Sequence, residues 1–132
     1  MADATHIRTI NPEQLGPAVA PYSQATVAGN LIFVAGQIGF DNDNNVIAPG
    51  EVGPQTTAAI ERIEVILAEA GASLDDVVTT TVYLTNPGDF AAFNEAWSAK
   101  FGDHRPARAT VLAGLLLDGL VVEIMATAVR PD

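Results

Sequence analysis

Residues 120–129 read LVVEIMATAV, a run in which Glu123 is the one ionisable side chain among ten. Apolar, β-branched runs of this length form strands inside a sheet, so the chain has to fold around a sheet containing this segment. A carboxylate in such a strand is costly unless a cation pairs with it or water reaches it. The segment therefore raises two questions: which strand it pairs with, and what Glu123 faces.

The rest of the chain supplies further elements. Residues 25–40, ATVAGNLIFVAGQIGF, are β-rich on both sides of Ala28-Gly29-Asn30, which tolerates positive φ and reads as a hairpin turn. Residues 41–54 are polar and rich in turn formers, a loop. In the following stretch Ile60, Ile63, Ile66 and Leu67 share one helical face while Glu61, Arg62 and Glu64 point elsewhere, and Gly71 fits the stop. Residues 77–85, VVTTTVYLT, read as a strand. A second helix opens with Asp89 as N-cap, carries Phe90, Phe93, Trp97 and Phe101 as a stripe, and ends at Gly102. Two strands close the chain, residues 107–113 and 120–129, joined by a loop over residues 114–119. The order predicts one α+β domain over residues 1–132, a mixed sheet with two helices packed on one face.

Composition narrows the function. Sixteen acidic side chains against six Lys and Arg give a net charge of −10, which repels phosphate backbones and makes nucleic acid a poor partner. There is no cysteine, and two histidines, His6 and His104, both expected in solvent, offer little to a metal. The single lysine, Lys100, suits the end of the second helix rather than a Schiff-base pocket. Gly36-Gln37-Ile38-Gly39 is not a dinucleotide fingerprint, and no G-x-S-x-G occurs. MADATHIRTI lacks the pattern of a signal peptide, and no stretch is apolar for long enough to span a membrane, so a soluble cytoplasmic protein is expected. With 48% hydrophobic residues in a small domain, part of the apolar surplus is expected between subunits.

Arg108, Thr110 and Leu112 share one face of their strand. If residues 107–113 and 120–129 form an antiparallel hairpin whose opposed numbers sum to an odd value, Arg108, Thr110 and Glu123 lie on the same side. Two arrangements then fit: a structural ion pair, or a pocket in which Arg108 clamps a ligand carboxylate and Glu123 holds a water. Arg105, before Pro106, reads as a solvated surface charge. Asn94, within the aromatic stripe, and Tyr22, in APYSQA, fit either local packing or a ligand contact.

Pro106-Ala107-Arg108, the apolar strand after it and Val122-Glu123-Ile124 resemble the C-terminal signature of the Rid family of reactive-intermediate deaminases, also called the YjgF family. The likeness extends to GPAVAPYSQ (residues 16–24), AGQI (35–38), TTVYL (80–84) and FAAFN (90–94). It implies a chorismate-mutase-like fold and a homotrimer with ligand clefts between neighbouring subunits. It also implies cofactor-independent hydrolysis of enamines and imines, of the 2-aminoacrylate, 2-iminopropanoate and 2-iminobutanoate type, to 2-oxo acids and ammonia. Carried over by position, Arg108 binds the substrate carboxylate and Glu123 orients the water. Tyr22, Ala35, Gly36, Asn94 and Thr110 would line the pocket. Ala35 and Thr110 stand where many members have Ser and Cys, which bears on substrate preference. A trimer that binds 2-oxo acids without turning them over would use the same clamp. An RNA-cleaving role, attached to some relatives, runs against the net charge.

Overall fold

In the computed structural model, which describes residues 6–131, a six-stranded sheet carries both helices on one face. The strands are β1 (Ile7–Ile10), β2 (Ala25–Ala28), β3 (Leu31–Ile38), β4 (Val77–Leu84), β5 (Ala107–Leu112) and β6 (Val122–Val129), and the helices are α1 (Val52–Glu69) and α2 (Phe90–Phe101). The sheet order is β1-β2-β3-β6-β4-β5. All neighbours are antiparallel except β4 and β5, which run parallel because α2 carries the chain across between them. The expected α+β class and mixed sheet are thus present, with β1 as an additional edge strand that the sequence reading omitted. Among the described residues no helix is long and apolar enough to cross a membrane.

The LVVEIMATAV run takes the inner position between β3 and β4. Its alternation decides the two faces: Val122, Ile124, Ala126 and Ala128 are buried beneath the helices, while Met125 opposite them is exposed. The helices complete this core with Ile60, Ile63, Ile66 and Leu67 from α1 and Phe93, Trp97 and Phe101 from α2. Lys100 joins the helices through Glu64 at 2.6 Å and Glu61 at 3.7 Å. The other face of the sheet is open, and Leu31, Phe33, Val111 and Met125 lie exposed on it.

Several local expectations need correction. The strands at residues 107–113 and 120–129 do not form a hairpin: β6 inserts between β3 and β4, and β5 pairs with β4 instead. Burying β6 on a sheet interior satisfies both its backbone edges, which a terminal hairpin would leave half unpaired. α1 starts at Val52, so Pro54 falls in its first turn, where a missing N–H costs nothing. Arg62 does not face solvent but is buried, 5% exposed, between α1 and the sheet. Asp89 makes no capping hydrogen bond; Asn86 does so, accepting from the Gly88 N–H at 2.8 Å, because a 3₁₀ turn over Pro87–Asp89 precedes α2. His104 is not simply solvated, since its Nε2 lies 2.8 Å from the Val77 carbonyl and its ring packs near Phe101.

A buried amide ties the loops to this frame. Gln55 Nε2 donates to the carbonyls of Ile47, Ala48 and Gly119, while its Oε1 accepts from the Val121 N–H. The loop ahead of α1 and the loop ahead of β6 are thereby fixed to one side chain, and the second of these borders Glu123.

Candidate functional site

Glu123 sits on the open face, opposite Ile38 of β3 and Tyr83 of β4. It lines a cleft of about 630 Å³ together with Tyr22, Ala35, Gly36 and the apolar side chains of Val19, Leu116 and Leu117. The strand next to it is irregular. Val34 pairs with Ala126 and Gln37 with Ile124, so Ala35 and Gly36 together oppose Met125 and form a β-bulge. A side chain at Gly36 would meet the Glu123 carboxyl, so a larger residue there would push that carboxyl out of its present place. Burial against apolar neighbours raises the Glu123 pKa above its ordinary value. Such a carboxylate can take and return a proton nearer neutrality than an exposed one.

Arg108 lies on the opposite face. Its β5 position is in register with Thr80, which is in register with Ala126, both buried under the helices. The guanidinium rests on α2, 5.0 Å from the ring centres of Phe93 and Trp97 and 5.9 Å from that of Phe90. Nη2 donates to Asn94 Oδ1 at 2.8 Å. Burial lowers its pKa from the ordinary arginine value. The aromatic faces hold the cation in place and leave the rest of its donor fork unused. Asn94, Arg105 and Arg108 border a cleft of about 400 Å³, and Thr110 lies in an adjoining groove beside Phe90.

The structure thus brings the seven candidate residues together as two groups. Tyr22, Ala35, Gly36 and Glu123 form one, and Asn94, Arg108 and Thr110 the other. The expectation that Arg108, Thr110 and Glu123 share a side fails, because it rested on the hairpin register. With β4 between β5 and β6, Arg108 aligns with Ala126, and Glu123 alternates to the far face. Neither charged group has an ion-pair partner among the described residues. A structural Arg108–Glu123 pair within one chain is therefore excluded.

Sequence reasoning missed two features. Arg105 is exposed, as expected, yet it borders the Arg108 cleft and adds a second positive charge there. Gln24, Gln37 and Arg62 are all buried and hydrogen-bonded to one another behind the Ala35–Gly36 bulge. A signal for the second was present: Arg62 falls between Glu61 and Ile63, within one turn of the apolar face of α1.

Residues 13–130 match the family model described as Endoribonuclease L-PSP. A RutC family protein of Pyrococcus abyssi is 46% identical over 118 residues, covering 89% of this chain and 93% of its own. The 3-aminoacrylate deaminase RutC of Acinetobacter baylyi is 37% identical over 119 residues, covering 90% and 94%. Among solved structures, RidA from an Antarctic Psychrobacter superposes with a TM-score of 0.86 at 37% identity, covering 92% of this chain and 98% of that one.

Proposed function

Since the chain belongs to the endoribonuclease L-PSP family, that of the RidA, RutC and YjgF proteins, we propose that it hydrolyses imines and enamines of amino-acid origin to 2-oxo acids and ammonia. The similarity to a 3-aminoacrylate deaminase supports a deaminase-like role at the family level. The observation that carries the finer reading is the pair of unsatisfied charges. A guanidinium on an aromatic platform and a carboxylate in an apolar cleft, on opposite faces of one sheet, are each left without a counter-ion among the described residues.

In this reading the complete site forms between two copies of the chain in a homotrimer, one contributing Arg108, Asn94 and Thr110 and its neighbour contributing Glu123, Tyr22 and the Ala35–Gly36 bulge. The exposed apolar side chains of Phe33, Val111 and Met125 on the open sheet face give such an assembly something to bury. Arg108 holds the substrate carboxylate through two parallel N–H donors. The C=N carbon of a protonated imine is already electrophilic, so the remaining work is to place water against it. Glu123 takes a proton from that water as its oxygen bonds to carbon, giving a carbinolamine, and returns the proton to nitrogen. The C–N bond then breaks and ammonia departs with the bonding pair. The hydroxyl gives its proton to the Glu123 carboxylate as the carbonyl forms, and that proton passes on to ammonia, which leaves as ammonium. Water is the only co-reactant consumed. RNA is disfavoured as substrate by the net charge of −10.

The test is ammonia release from an imine generated in situ by an amino-acid oxidase. Wild-type protein accelerates imine loss, and Arg108→Ala abolishes the acceleration while leaving the assembly intact. Undiminished turnover by that variant overturns the proposal, and saturable binding of a 2-oxo acid with no turnover favours a binding protein instead.

A further inference from the structure

Gln24, Gln37 and Arg62 are 3%, 2% and 5% exposed, and nothing in the chemistry above uses them. They form one chain of hydrogen bonds. Arg62 Nε donates to Gln37 Oε1 at 3.0 Å, and Gln37 Nε2 donates to Gln24 Oε1 at 2.9 Å and to the Ala35 carbonyl at 3.1 Å. Arg62 Nη1 reaches the Asp41 carbonyl at 3.2 Å, and the guanidinium lies 5.9 Å from the Phe40 ring centre. No carboxylate of the described residues makes an ion pair with it. A buried cation held by neutral acceptors is costly, and a core needing only volume at this position would be better served by Met or Leu.

The cation supplies direction. A glutamine amide can present either its oxygen or its nitrogen, whereas a guanidinium only donates. Arg62 therefore turns Gln37 Oε1 toward α1, which forces Nε2 toward the Ala35 carbonyl. Rotated the other way, the amide would set oxygen against oxygen. Ala35 is also held through its own N–H, which donates to the Gln24 carbonyl at 2.8 Å. The carbonyl of Ala35, one half of the bulge, is thus held by the side-chain network, and its N–H by the backbone of the residue whose side chain ends that network. The other half is Gly36, the residue pressed against Glu123.

We infer that Arg62 and Gln37 are positioning residues that hold the Ala35–Gly36 bulge against Glu123 and so set where the attacking water lies. The inference rests on the deaminase reading, and the experiment separates the two. Gln37→Glu keeps the shape and gives Arg62 a full carboxylate partner, and the Gln24 amide can turn to donate to the new oxygen, so the variant is expected to fold, yet it places an oxygen against the Ala35 carbonyl. The expected result is a fall in kcat of roughly 10- to 100-fold with KM nearly unchanged, since the Arg108 clamp is untouched. Arg62→Met behaves alike, and Arg62→Lys, which keeps one donor for Gln37 Oε1, recovers part of the loss. In both damaged variants hydrogen exchange at the Ala35 amide accelerates. Wild-type kcat in folded Gln37→Glu, or unaltered exchange at Ala35 in Arg62→Met, overturns the inference. A wild-type protein without imine turnover sinks the deaminase reading alone, and the exchange measurement then decides the positioning role.

Discussion

In its proposed role Glu123 trades stability for chemistry, and pH exposes the trade. Burial raises its pKa above the ordinary value of 4.5, so the folded state binds its proton more tightly than the unfolded chain does. Its contribution to stability is fully present below about pH 4.5 and is lost as pH rises through the elevated folded value. At neutral pH the side chain is therefore a liability to the fold. Glu123→Gln, with no charge to desolvate, should melt at a higher temperature than wild type at about pH 7, and this advantage should shrink at about pH 4. Thermal unfolding at the two pH values checks it, and an advantage that does not change with pH contradicts the burial argument. The same variant should have lost imine hydrolysis, since an amide cannot take the water's proton.

Adjacent positions on α1 show how differently two buried polar side chains can be treated. Gln55 spends its amide on four backbone groups in two loops. The Thr56 hydroxyl is buried with no hydrogen-bond partner among the described residues. Gln55→Leu should destabilise by about 2–4 kcal/mol, because the Val121 N–H and the released carbonyls stay buried and unpaired. Thr56→Val, nearly isosteric, should stabilise by about 1 kcal/mol by removing an unsatisfied hydroxyl. Urea unfolding midpoints of the two variants should move in opposite directions. Such positions also mark where the sequence could be read and where it could not. Ile60, Ile63, Ile66 and Leu67 announced the buried face of α1 through their spacing, and the Gly29 turn and the strand at residues 77–85 were equally plain. Arg62 and Gln55 were not, because their burial depends on hydrogen-bond acceptors that arrive from distant segments. The β6 position failed for a related reason: adjacency in sequence suggested a hairpin, while the strand's near-total lack of charge required an inner place in the sheet. That one misplacement put Arg108 and Glu123 on a common face, although each residue had been singled out by local chemistry.

The separation of those two groups makes a claim about assembly that can be measured without a structure of the complex. In the proposed ring of identical subunits each contact is head to tail, so every cleft would take Arg108 from one copy and Glu123 from the next. Consider Arg108→Ala and Glu123→Gln chains, each inactive alone, unfolded together in equal amounts and refolded. A cleft is intact when the copy supplying arginine is the Glu123→Gln chain and the copy supplying glutamate is the Arg108→Ala chain. Each condition holds for half the copies, so about one quarter of clefts are restored, and imine hydrolysis should return to about one quarter of the wild-type rate. A site built within one chain gives no recovery, since every chain in the mixture lacks one of the two groups. Mixing the folded variants without denaturant should give little activity until subunits exchange, and the rise should follow exchange kinetics. The exposed Phe33 and Met125 supply a control. A charge on that face, as in Phe33→Glu, should release monomers and remove activity while both Arg108 and Glu123 remain, because the two halves of the cleft no longer meet.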